Sequence, residues 1–153
     1  MLAHRSLCIV VLDGGRARFV RPAADRALHT EERLESPTLH ARTAELVGDH
    51  AGRSFESASP VRHAIEPRSE PHMAEKTRFA AAVAAKLDAA AREGAFDALV
   101  LVAPAPILAD LQDALGVEAT RCVVGTLPKD LVKVPDDALQ PHLSEWVRPV
   151  DRA

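Results

Sequence analysis

Seven histidines are the obvious first place to look for metal or proton chemistry in this chain. They stand at 4, 29, 40, 50, 63, 72 and 142, and no two share the three- or four-residue spacing that puts a pair of ligands on one helix face. Cys8 and Cys122 sit inside apolar runs, where a thiol acts as a small buried hydrophobe rather than as part of a metal set or disulfide framework. Ser54, Ser57 and Ser59 lack the G-x-S-x-G elbow that would expose a nucleophile. Gly14-Gly15 reads as a hairpin turn rather than a phosphate loop, and Pro104 and Pro106 remove two backbone donors from the start of a later helix. Asp13 closes an apolar run and invites comparison with two-metal nucleases. The partner run Ala98 to Ala103 carries no acid, so Asp13 reads as a turn residue. The expectation is a chain with no catalytic set, no bound metal and no cofactor.

What remains is recognition chemistry. In FESASPVRHAIEP and its flanks, Arg53, Arg62, His63 and Arg68 alternate with Glu56, Glu66 and Glu70. A near-neutral mixture of this kind suits hydrogen-bonded recognition better than a polyanion clamp. The expected binding surface is Arg53, Phe55, Arg62, His63, Glu66 and Arg68, joined by Lys129 from beyond the last strand. The competing reading is a crossover segment tied by its own ion pairs.

The elements that must position such a surface follow from hydrophobic periodicity. Leu7 to Leu12 is a continuous apolar run, as expected of a strand buried on both faces. Asp13-Gly14-Gly15 supplies residues that tolerate positive φ in a tight hairpin. Arg16 to Arg21 then forms a second strand, and Leu28 to Leu34 a third, with Leu28, Thr30, Glu32 and Leu34 alternating against His29, Glu31 and Arg33. Periodicity is lost from about 35 to 71, apart from a possible short helix at His40 to Val47, because prolines and serines interrupt it. It returns with Phe79, Val83 and Leu87 at helical spacing, ending at a Gly94 cap. Phe96 to Ala103 reads as a strand. A helix with Ile107, Leu108, Leu111 and Leu115 on one face follows, then a strand from Cys122 to Leu127. Leu139, Leu143, Trp146 and Val147, interrupted by Pro141, predict a short turn and a terminal helix.

This order predicts one α/β domain spanning 1–153. Its core is a mixed five-stranded sheet in the order 3-2-1-4-5 with helices on both faces, the topology of ribonuclease-H-like folds and of several translational components. The composition, 47% hydrophobic and 27% charged, is that of a globular chain. Four Phe, one Trp and no Tyr leave few platforms for base stacking, and a net charge of -3 offers no basic footprint, so DNA is not an expected partner. No apolar run approaches the roughly 20 residues needed to cross a bilayer, and the first 15 residues read as a strand rather than a signal peptide. A reduced, cytoplasmic setting is the expectation.

Larger blocks carry a resemblance. DGGRARFV, GRSFESASPVRHAIEP, EKTRFAAAVAAKL, FDALVLVAPAPILADL and LPKDLVKVP together resemble the bacterial host attachment protein family, from about Ser6 to Leu143. That resemblance implies a protein required for attachment to host cells. Without a secretion signal or anchor, it implies an indirect role through an unknown protein partner rather than display as an adhesin. The family is also similar in fold to the middle domain of archaeal and eukaryotic peptide-chain release factors, which implies a possible ribosome or tRNA partner. The Gly-Gly-Gln loop of those factors has no counterpart here, since Gly14-Gly15 is followed by Arg16. A third reading is an enzyme acting on a small phosphorylated ligand.

Overall fold

The structure, a computed structural model, describes residues 6–37 and 69–147. Within them lie strands β1 (Leu7–Leu12), β2 (Arg16–Pro22) and β3 (Leu28–Glu35), helix α1 (Ser69–Arg92), β4 (Ala98–Val102), helices α2 (Ala105–Ala114) and α3 (Val117–Cys122), β5 (Val123–Leu127) and the one-turn helix α4 (Asp136–Leu139). A 3-10 turn, Gln140–Leu143, follows α4. The five strands form one sheet in the order β3-β2-β1-β4-β5, as expected. β1 is antiparallel to β2 and parallel to β4, and β5 is parallel to β4.

Two central strands carry both cores. Along β1, Cys8, Val10 and Leu12 face one side while Ile9 and Val11 face the other; along β4, Leu99 and Leu101 oppose Val100 and Val102. All are buried, which is why these segments read as unbroken apolar runs. On the first side, Phe79, Val83 and Leu87 of α1 meet Ile107, Leu108 and Leu111 of α2 over the sheet. Ala80 and Ala84 are also buried, and their small side chains let the α1 backbone lie close to its neighbours. Gly94, at φ 73°, ends α1 with the paired bonds of a Schellman motif, Ala95 N–H to Ala90 O and Gly94 N–H to Ala91 O.

The second side is covered differently from the prediction. Residues 131–147 cross it, placing Leu131, Val132, Leu139, Leu143 and Val147 against Ile9, Val11, Val100 and Val102. The expected terminal helix is reduced to α4 and the 3-10 turn. Pro141 has no N–H to continue an α-helical ladder, although the 139/143/147 spacing still delivers three buried side chains. A short helix that periodicity missed, α3, begins at Gly116, whose N–H is held by both carboxylate oxygens of Asp88 on α1 at 2.9 and 3.0 Å.

β3 also departs from simple alternation. Val20 pairs with Thr30 but Phe19 pairs with Glu32, so Glu31 is an inserted residue and β3 is bulged there. Leu28 and Thr30 therefore face the C-terminal segment. Leu34 packs in the core beneath α1, and Glu32 bonds Lys86 of α1 at 2.6 Å. Arg33, directly opposite Arg18 on β2, is turned to the same face as Arg18.

Trp146 closes the second core against β5. A β-carbon built on Gly125 would lie 2.3 Å from its indole ring, so this strand position is glycine because an aromatic ring occupies the side-chain space. Gly125→Ala is expected to cost about 1–3 kcal/mol in denaturant unfolding, and less in a Trp146→Leu background. Equal losses in both backgrounds would show that the ring is not the constraint.

Candidate functional site

A cleft of about 730 Å³ opens at the carboxyl ends of β1 and β4, the usual ligand position in open α/β sheets. The β1–β2 turn, the early part of α1, the β4–α2 junction and the loop after β5 build it. Asp13 organises the turn: its Oδ1 accepts the N–H groups of Gly15 and Arg16 at 2.9 and 2.8 Å. This confirms Asp13 as a turn residue. Neither Gly14 nor Gly15 adopts positive φ, contrary to the expected use of these glycines. Gly14 serves close approach instead, for its missing β-carbon would sit 2.9 Å from Cγ and 3.0 Å from Cε of Lys76. The Lys76 stem thus runs across the turn, and its ammonium has no ion-pair partner among the described residues.

The other walls are of mixed character. Pro104 and Pro106 line the cleft at the start of α2, the first as N-cap and both without an N–H, so this helix terminus offers few donors to an anion. Met73 lines it from α1 and is 62% exposed. Around these apolar groups stand Arg16, Lys76 and Lys133 with Asp13, Asp110 and Asp130. Thr77 donates to Met73 O at 3.0 Å, and its hydroxyl lies 3.4 Å from Asp110 Oδ2 of α2 beside the opening. Among the described residues, no group of three His, Cys, Asp or Glu side chains is placed to hold a metal ion. Both thiols are poor nucleophiles. Burial pushes Cys8 up to about 11, with Glu31 adding to the rise against an opposing Arg21, and burial with Asp97 and Glu118 raises Cys122.

Of the sequence-derived surface, Lys129 is exposed in the loop after β5, next to the cleft-lining Asp130. Arg53, Phe55, Arg62, His63, Glu66 and Arg68 lie outside the described residues, as does the His40 to Val47 helix. Met73, Lys76, Arg16 and Asp110 were not anticipated. Gly14-Gly15 was the available signal: two adjacent glycines that need no positive φ imply that something passes close by.

Lys133 and Asp130 reach the cleft because Arg18 anchors the chain between β5 and α4. Arg18 is 4% exposed. Its Nη1 donates to Val132 O at 2.7 Å and Val134 O at 2.6 Å, and its Nη2 to Asp136 Oδ1 at 2.8 Å. Thr30 completes the set. Its hydroxyl accepts from Arg18 Nε and donates to Asp136 Oδ1, while its N–H donates to Asp136 Oδ2 at 2.8 Å. Burial alone would raise the Asp136 pKa, but the Thr30 hydroxyl and amide and the Arg18 guanidinium outweigh it and hold the carboxyl below its ordinary range.

A depressed folded-state pKa stabilises the fold above the unfolded value of about 4, and that stabilisation disappears as pH falls through the folded value. The stability gap between wild type and Asp136→Asn is therefore expected to be constant near neutrality and to shrink below about pH 4. A gap that stays unchanged under acid would contradict this role for Asp136.

No curated protein matches the chain. No helix among the described residues is long and apolar enough to cross a membrane. The family model for a protein required for attachment to host cells matches residues 8–143, and with the sheet order found here the chain belongs to the host attachment family.

Proposed function

We propose that this chain serves attachment to host cells as a non-catalytic recognition domain, binding a protein partner from within the cytoplasm through the carboxyl-edge cleft. The observation that carries this reading is the exposed Met73 on a cleft wall shared with Pro104 and Pro106 and rimmed by charges of both signs. An adaptable apolar centre inside a polar rim is the anatomy of a protein-recognition surface, and methionine suits a partner whose contour is not rigidly matched. The mixed rim favours orientation and specificity over bulk electrostatic attraction. In the described residues of the cleft the hydroxyls are Ser36 and Thr77, and neither stands beside a histidine or lysine base in a bonded pair. Membership of the host attachment family supports the choice of process.

The test is complementation. A strain lacking the gene should regain attachment to host cells with the wild-type chain but lose most of that recovery with Arg16→Glu combined with Lys76→Glu, provided the variant melts normally. These two substitutions reverse the sign of two of the rim's cations without touching the Arg18 anchor. Full recovery by the folded variant would move the working surface away from the cleft. Co-sedimentation of wild type with ribosomes, abolished by the same variant, would instead assign the cleft to the translation machinery.

A further inference from the structure

A second cavity, of about 790 Å³, lies along the face of β3 where residues 132–140 cross it. It shares Lys133 with the cleft but is otherwise built from different residues. Its volume is that of a small-ligand site. Arg18, with its charge already matched by Asp136, lines the cavity. Arg26, Arg33 and Lys133 line it as well, and none of the three has an ion-pair partner among the described residues. Asp137 is the one lining carboxylate besides Asp136, so the lining carries a clear excess of positive charge within a chain whose net charge is -3.

Two features of the backbone maintain this excess. Arg33 stands directly opposite the Asp136-paired Arg18 across β2 and β3, and the Glu31 bulge turns it to that face. Arg26 occupies the left-handed region at φ 72°, where glycine or asparagine would be less strained. Its tight turn is held by the Arg26 N–H bonding Ala23 O at 2.8 Å and by Asp25 Oδ1 accepting the Ala27 N–H at 2.9 Å. A strained arginine at a turn and an arginine with no ion-pair partner among the described residues both line one cavity.

We propose that this cavity binds a small, multiply charged phosphate ligand. Arg26 and Arg33 supply planar guanidinium forks suited to phosphate oxygens, and Lys133 supplies a point charge. A single carboxylate could not match three unpaired cations. The limited volume, that of a small-ligand site, and the chain's negative net charge favour a small molecule over a nucleic-acid strand. The two sites share Lys133, but the Arg16 and Lys76 substitutions leave the other lining residues of this cavity unchanged, so the proposal is tested apart from the protein-recognition reading.

Isothermal titration of the full chain with tripolyphosphate and with ATP, using adenosine as the uncharged control, tests it. Both phosphate compounds are expected to bind with Kd below about 1 mM, adenosine not at all, and a rise in salt should weaken binding. Arg33→Gln and Arg26→Gly should each weaken binding about tenfold or more. The glycine variant suits the left-handed backbone, so its loss would report charge rather than misfolding. Arg121→Gln, on the distant α3, should bind like wild type. The proposal fails if either phosphate compound does not bind up to about 5 mM, if both arginine variants bind normally, if Arg121→Gln is equally impaired, or if a single-stranded oligonucleotide displaces tripolyphosphate at lower concentration.

Discussion

The buried guanidinium of Arg18 is the constraint on which the two surfaces of this fold depend. Arginine is rarely taken out of water because removing its hydration costs several kcal/mol, and the cost is offset only where its donors find acceptors. Here the acceptors are main-chain oxygens of residues 132 and 134, the Thr30 hydroxyl and the Asp136 carboxylate. The consequence reaches beyond local satisfaction. Residues 131–147 bury Leu131, Val132, Leu139, Leu143 and Val147 on a sheet face that would otherwise be bare, and Arg18 fixes where that segment crosses. Apolar burial drives the segment onto the sheet, but burial is non-directional and sets no register. The hydrogen bonds set it, and with it the positions of Asp130, Lys133 and Asp137.

One side of the sheet thus works by shape and the other by polar anchoring. Under α1 and α2 the core is wholly apolar, Phe19, Phe79 and Phe96 among its aliphatic residues, and polar ties such as Asp88 to Gly116 and Glu32 to Lys86 stand at its edges. Under the C-terminal segment, an ion pair and a bulge direct the chain. Arg18 is satisfied by Asp136 while Arg33, one strand over, is left for other use. Lys133 stands where the cleft and the cavity meet, so a partner at one surface and an anion at the other would compete for the same ammonium.

Much of this fold is legible in the sequence because its central strands are buried on both faces. Leu7 to Leu12 and Ala98 to Val102 have no polar position to disguise them, and Phe79, Val83 and Leu87 mark α1 with equal clarity. The features that escape reading are those a one-residue change can hide. The Glu31 insertion reverses which face Glu32 and Leu34 occupy, and a strict period of two cannot register it. The one-turn α4 and α3 are too short to show a period. Arg18 looks like an ordinary polar position in a hairpin strand, since all its acceptors but Thr30 lie more than a hundred residues downstream. The candidate surface was less legible still. Among the described residues Lys129 is the one expected residue beside the observed cleft, whereas Met73 and Lys76 reach it through tertiary placement that no local pattern encodes.

The most direct test of the anchoring account is a double-mutant cycle on Arg18→Met and Asp136→Asn, read by denaturant unfolding at neutral pH. The Arg18 change alone should cost about 3 kcal/mol or more because it strands carbonyls and a carboxylate together. The two changes should couple by about 1 kcal/mol or more, with the double variant less damaged than the sum. Additive losses, or an Arg18→Met chain as stable as wild type, would mean that apolar packing alone places the C-terminal segment and that Arg18 does not set the surfaces built on it.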